Sequence, residues 1–392
     1  MRDTAAERAF ERVFRSAKRE RAAEEAWRAF AERGLPTTRD EDWRFTPLAA
    51  LESLEFGAPA AEEIPAAELA RARARVGDAR LTAAVSASRV SVLEPKHAPF
   101  AALNAALADN GVLVEATASC DNQLAFHLIR WVGGGSRVVS PRAEIVVRAG
   151  ANATVIEHFV GASGSKSLSN SATEITVERG GRLRYVQLQE LPDTAFHVSS
   201  IATRQDTNSE VTLASVALGA RLSRVEIVSK LEGEGARLDL DGLYLGRESQ
   251  HQDHHTTIDH AAPHTTSHEL FKGVLAGRAR GVFHGRIHVR PHAQKIDASQ
   301  TNRALLLSDR AVIDSKPQLE IYADDVKCSH GASVGQLDPD QIFYLRARGL
   351  AEADARALLT YAFASEVLEK LPIAALRESL ERDVLAWLGG AK

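Results

Sequence analysis

From about Val112 to about Ser333 the chain runs for roughly two hundred residues in short segments of period two with hardly any helical pattern. Glu144 to Val147, Thr173 to Val177, Val211 to Val216 and Arg237 to Leu245 read as strands rich in branched side chains. Gly150, Gly180-Gly181, Gly219, Gly235 and Gly277 separate strand from strand, where tight turns demand positive φ. So many short strands cannot form one open sheet without curling or splitting. The choices are a sandwich, a barrel, a propeller or a solenoid. No blade-length repeat is visible, the turn spacing is irregular, and strand-turn-strand units recur without long Greek-key excursions. These features select a β-solenoid.

Helical patterns bracket that zone, giving a mainly β chain with helical ends: residues 1–110 mainly helical, 111–335 the solenoid core, 336–392 helical again. Thr4 and Glu7 form a capping box, and Phe10, Val13, Phe14, Trp27 and Phe30 recur at helical spacing until Gly34 and Pro36 end the run. A linker between Pro59 and Pro65 precedes a helical run from Pro99 to Ala108. Near the C-terminus, Asp338-Pro339-Asp340 starts a helix that stops at Gly349; a second spans about Ala351 to Leu371. A third carries Ile373, Leu376, Leu380, Val384 and Leu388 along one stripe. Helices at the two ends would cover terminal coils that otherwise expose pairing edges.

Composition narrows the function. Among 392 residues, 48 basic and 52 acidic side chains leave a net charge of -4, which argues against nucleic acid or an anionic membrane surface as the main partner. Glu352, Asp354, Glu366 and Glu369 likewise argue against DNA binding by the C-terminal helices. No stretch approaches the length of apolar residues that spans a membrane. The N-terminus is Arg-rich but carries Asp3, Glu7, Glu11 and Glu20, which a transit peptide would avoid, so a cytoplasmic location is expected. Cys120 and Cys328 are too few and too far apart for a disulfide scaffold.

The densest chemical signal is histidine: His251, His254, His255, His260, His264 and His268, then His284, His288 and His292. One reading is a metal site serving a stand-alone hydrolase or lyase built on the His251 to His268 cluster. The other is polar rings gathered on turns and solvent faces; no His-Glu-x-x-His or Cys-x-x-Cys accompanies them. Cys328-Ser329-His330-Gly331 follows the strand Leu319 to Tyr322, and residues two apart on a strand face one side. Cys328 and His330 therefore read either as ligands for a soft metal or iron-sulfur centre, or as a buried thiol beside a hydrogen-bonded imidazole. As ligands they are incomplete, and another chain must supply the rest. A nucleophile-base pair has no accompanying oxyanion motif. The string Gly161 to Ser167 has Ser165 where a phosphate loop needs glycine, and it reads as a mobile polar loop. Asp239, Asp241, Asp253 and Asp259 could serve a polysaccharide enzyme, and read otherwise as turn and solvent-face residues.

Several strings closely resemble the SufB/SufD family: Arg290 to Lys295 (R-P-H-A-Q-K), Lys316 to Gly331 (K-P-Q-L-E-I-Y-A-D-D-V-K-C-S-H-G), Asp340 to Leu345, His264 to His268, and Asp42 to Pro47 (D-W-R-F-T-P). The resemblance is densest from Asp253 to Phe363. It sides with the SufD-type branch, because Cys328-Ser329-His330-Gly331 is present and the segment Thr301 to Leu307 holds no cysteine. The SufB branch places its cluster-building cysteine there, near Arg303. The resemblance implies a right-handed parallel β-helix and a non-catalytic scaffold subunit for iron-sulfur cluster assembly. It implies a SufB-like partner near Cys328 and His330, with a nascent cluster shared between the two subunits. It also implies an ABC-type ATPase of the SufC kind on the helices from about 338 to 371. A reduced flavin is associated with the family's complex, although no flavin site is legible here, and a homodimer of the lone chain is left open.

Overall fold

A computed structural model describes residues 3–59, 63–76, 98–108, 111–117 and 125–389. Cys120 and part of the Pro59 to Pro65 linker lie outside the described residues. The helices are α1 (Ala5–Arg15), α2 (Arg21–Arg33), α3 (Ala49–Glu52), α4 (Ala66–Val76), α5 (Pro99–Leu107), α6 (Pro339–Ala347), α7 (Glu352–Leu368) and α8 (Ala374–Gly389). A 3-10 turn spans Glu41–Trp43. The strands begin with β1 (Gly111–Ala116), β2 (Ala125–Val132), β3 (Val138–Val139), β4 (Arg142–Val147), β5 (Asn152–Gly161) and β6 (Leu168–Val177). Next come β7 (Arg182–Glu190), β8 (Phe196–Gln205), β9 (Glu210–Ala217), β10 (Leu222–Leu231), β11 (Arg237–Gly246) and β12 (His251–His260). The last are β13 (Thr266–Leu275), β14 (Arg280–Val289), β15 (Ile296–Leu306), β16 (Val312–Ile321) and β17 (Val326–Gly335).

Successive strands alternate between two parallel sheets. One sheet runs β1-β4-β6-β8-β10-β12-β14-β16, with β3 beside β6; the other runs β17-β15-β13-β11-β9-β7-β5-β2. This is a β-solenoid of about eight coils, as the strand grammar predicts. Leu222 stands beside His251 and His251 beside Arg280, a step of about 29 residues per coil. The repeat hides in the backbone rather than in residue identity. Gly150, Gly180, Asn208, Gly235, His264 and Lys295 are left-handed, with φ between 54° and 72°. Each donates its backbone N–H to a carbonyl of the next coil, as from Gly180 to Thr207 and from His264 to Gln294, both 2.9 Å. One stacked corner is thus built from four residue types, which conceals it from a search for conserved-looking spacing.

The space between the sheets is filled by inward residues such as Val155, Ile175, Tyr185, Leu213, Leu240, Tyr244, Phe271 and Phe283. Close packing of these rings relies on two glycines. A Cβ on Gly242 would meet the Phe271 ring at 2.1 Å, and one on Gly273 would meet Tyr244 at 2.2 Å. Both outer faces are covered as well. The N-terminal helices bury Phe10, Trp27, Phe30, Trp43 and Leu103 against Val138, Leu168, Phe196, Val198 and Leu222 of the first sheet. The C-terminal helices bury Val367, Leu368, Leu376, Leu380 and Val384 against Val186, Leu188, Leu243, Leu245 and Val274 of the second.

Two expectations are corrected. The predicted single helix from Thr4 to Gly34 is two helices, broken at residues 16–20, while the Thr4–Glu7 capping box is present. In one continuous helix Phe10 and Phe30 would lie about 30 Å apart. The break brings their rings to 6.2 Å and stacks Phe14 on Trp27 at 4.7 Å. Second, the C-terminal helices do not cover the last coil. They lie along the flank, because outward Leu243, Leu245, Leu270 and Val274 need burial there. Among the described residues no helix is long and apolar enough to cross a membrane.

Candidate functional site

Among the described residues nothing covers the final coil, β16 and β17. Each strand pairs on one side only, β16 with β14 and β17 with β15, so each leaves a row of backbone donors and acceptors unpaired. Val312, Ile321, Tyr322 and Val334 are exposed, Val334 by 53%. On β17, Cys328 stands beside Ala298 and His330 beside Gln300, and both neighbours are buried. Cys328 and His330 therefore occupy inward positions of a coil that has no successor above it. Cys328 is half-buried against the apolar interior, and His330 is exposed. Burial, then the Asp297 carboxylate, raises the Cys328 thiol above its usual range, so it stays protonated at neutral pH.

The histidine cluster is not one site, because strand alternation splits it. His254 points inward between Tyr244 and Phe271, at centroid distances of 4.9 and 5.4 Å. Burial lowers it to about 4, so it is a neutral core ring. His260 is also inward, bonded to Thr265 at 2.7 Å and Ser267 at 2.9 Å. His264 is a left-handed corner, and His268 bonds Ser299 at 2.9 Å. His288 faces Glu320 at 3.1 Å, and His292 donates to the Ala261 carbonyl. The outward positions of β12 meet a polar constellation. Thr46 Oγ1 lies 3.0 Å from His251 Nε2 and donates to Asp253 at 2.6 Å. Burial pushes the Asp253 carboxyl up, but Arg224 and His255 outweigh it and hold Asp253 far below the ordinary range. Arg224 stacks over Trp43 at 4.0 Å. Asp42-Trp-Arg-Phe-Thr-Pro47 is thus the clasp between the N-terminal helices and the first sheet. A grouping that sequence reasoning missed is Asp42 with His255 and His284, whose ligand atoms lie within 4.8 Å of one another. The signal was the 29-residue interval from His255 to His284, one coil of the solenoid.

The remaining chemical readings dissolve into structure. Asp239 pairs with Arg237, Asp241 with Lys370, Asp253 with Arg224 and Asp259 with Arg290. Asp241 and Asp253 are buried, not solvent-face residues. The Gly161 to Ser167 string leads into β6 rather than a helix, and it is tighter than a mobile loop: Ser165 and Ser167 are buried, and Ser165 donates to the Gly133 carbonyl at 2.8 Å.

The C-terminal helices offer a second exposed feature. Asp338 caps α6 by accepting from Asp340, with Pro339 at the first turn. No residue of α6 is buried, and Phe343 is 72% exposed. Tyr344 and Leu345 of α6 and Leu358, Leu359 and Ala362 of α7 line an apolar groove.

Residues 130–363 match the family model described as "SUF system FeS cluster assembly, SufBD core domain". The chain belongs to the SufBD family. It is 32% identical over 91% of its length, and 89% of the relative's, to the iron-sulfur cluster assembly protein SufD of Escherichia coli. A SufBD family protein of Synechocystis is 30% identical, with 89% of this chain and 87% of the relative covered. One from Mycobacterium tuberculosis is 31% identical, with 88% and 87% covered. The matched segment of this SufBD member runs from β2 into α7 and includes the bare coil with Cys328 and His330.

Proposed function

We propose that this protein is a non-catalytic scaffold subunit of a SufB–SufC–SufD-type complex that assembles iron-sulfur clusters in the cytoplasm. The observation that carries the reading is the bare last coil. Two long strands with free edges accept a partner that continues both sheets, by the strand-addition mode of recognition. A SufB-like paralogue of the same fold supplies that continuation. Cys328 and His330 lie at the junction, where they contribute part of a ligand set to a nascent cluster that is cargo, completed by the partner's residues. The thiol is released from its protonated state when metal binds.

The exposed apolar groove of α6 and α7 supports docking of the SufC-like ATPase there. Tyr344, which lines the groove, and Phe343, exposed beside it on α6, are the aromatic anchors of that contact. Co-expression with SufB-like and SufC-like partners, followed by anaerobic reconstitution, tests both contacts. His330→Ala should leave the complex intact and lower cluster yield about tenfold or more. An unchanged yield removes His330 from the site. Phe343→Asp should abolish ATPase capture while leaving the paralogue bound, and undiminished capture removes α6 from that interface.

A further inference from the structure

The grouping of Asp42, His255 and His284 lies at a distance in sequence from Cys328 and His330 and is not used by the scaffold reading. Its geometry follows from the coil step. His255 on β12 and His284 on β14 occupy the same register position, followed by Lys316 on β16. Neighbouring strands lie about 4.8 Å apart, so outward side chains at one register position stack. The two imidazole centroids are 4.9 Å apart with the rings edge-on. The turn Glu41–Trp43 closes over them, bringing Asp42 Oδ1 to 3.9 Å from His284 Nδ1. A small cleft lined by Glu41, Phe45, Thr46, Val282 and Lys316 surrounds the three groups.

Two features of the cleft match a ligand-ready site. The His284 side chain is only 7% exposed, yet its Nε2 has no hydrogen-bond partner among the described residues. His255 Nε2 lies 3.1 Å from Asp253, a buried carboxylate fixed by Arg224 and Thr46. As placed, Asp253 Oδ1 accepts no aligned hydrogen bond, so this oxygen is free to take the Nε2–H of His255 in the way carboxylates support metal-bound histidines once the ring turns. Each nearby cation has a carboxylate partner: Lys316 pairs with Glu41, Arg280 with Asp314 and Arg224 with Asp253.

We propose that Asp42, His255 and His284 bind a first-row divalent cation of the Zn2+ or Fe2+ class. Two imidazoles and one carboxylate suit such an ion and not Mg2+ or Ca2+, which prefer all-oxygen shells. Three protein ligands leave further coordination positions open. The exposed Asp42 carboxylate closes on the ion by side-chain rotation, so the cation clips the 41–46 segment to β12 and β14.

The test uses the full chain carrying Cys328→Ser and His330→Ala, so that the bare coil cannot contribute ligands. The metal-free protein is titrated with Co2+, and visible d–d absorption and equilibrium dialysis are followed. A single Co2+ per chain, displaced by Zn2+ but not by excess Mg2+, is expected. His255→Ala and His284→Ala should each weaken it by about tenfold or more, and Asp42→Asn, at an exposed position that does not endanger folding, by about tenfold. Binding that all three variants leave unchanged, or no stoichiometric uptake by the parent protein, overturns the proposal. Because the parent lacks the Cys328 and His330 ligands, neither outcome bears on the scaffold reading.

Discussion

The eleventh and seventeenth strands are both ten residues long and parallel to their neighbours, yet they live in different surroundings. β11 pairs on both sides, packs Leu240 and Tyr244 inward, and places Leu243 and Leu245 under the C-terminal helices. β17 pairs on one side, and its inward positions Cys328, His330 and Val334 face no further coil. Nothing in β-propensity separates them. The difference is positional, and it divides labour along the solenoid: inner coils supply stability, while the last coil is an unfinished surface.

Substitutions that should not respect this boundary would break the comparison. Phe271→Ala, at the centre of the ring stack beneath Gly242, should destabilise by about 3–5 kcal/mol in urea unfolding. A cost below about 1 kcal/mol would mean that the interior is not close-packed there. Next in size is an effect that depends on pH. Burial pushes the Glu269 carboxyl up to about 7, against the opposing hydrogen bonds of Thr256 and Gln300. The folded state therefore holds this proton between an unfolded value near 4.5 and about 7. Its contribution to stability is fully present below that window and is lost as pH rises through it. Glu269→Gln should thus stabilise by up to about 3 kcal/mol at pH 8 and little at pH 4.5. Equal shifts at both pH values would refute a buried titration.

The smallest effect belongs to the bare coil. Val334→Ala in the isolated chain should change the free energy of urea unfolding by no more than about 0.5 kcal/mol, as expected for a surface site. The same substitution paired with Tyr322→Ser should nevertheless weaken capture of the SufB-like partner. A large stability loss in the lone chain would show that the coil is covered after all.

Much of this architecture is legible in the sequence, and the limits have physical causes. Period two and the density of turn glycines give the strands and the solenoid class, and Asp338-Pro339 gives the start of α6. The coil length stays hidden because Gly, Asn, His and Lys share one left-handed corner, and only the backbone repeats. The consecutive apolar run Leu243-Tyr244-Leu245 does signal a strand buried on both faces, and so helices on its flank. The run calls for cover over the outward face, but no local pattern says that the C-terminal rather than the N-terminal helices supply it. For the site, i and i+2 spacing puts Cys328 and His330 on one side, but their exposure depends on where the coils stop. Asp42, His255 and His284 come together only when the coil step is known, since no local pattern joins residues so far apart.

Nearest-neighbour stacking has one consequence for the fate of a solitary copy. In a one-dimensional array each coil is held mainly by the coil beside it, so thermal opening starts where a neighbour is missing. Fraying will run inward from β17, and amide exchange should be fastest there and fall toward β11. A partner that seals this end suppresses the fraying along with the recognition of a loose strand by proteases. A copy without such a partner thus carries a built-in mark of being alone.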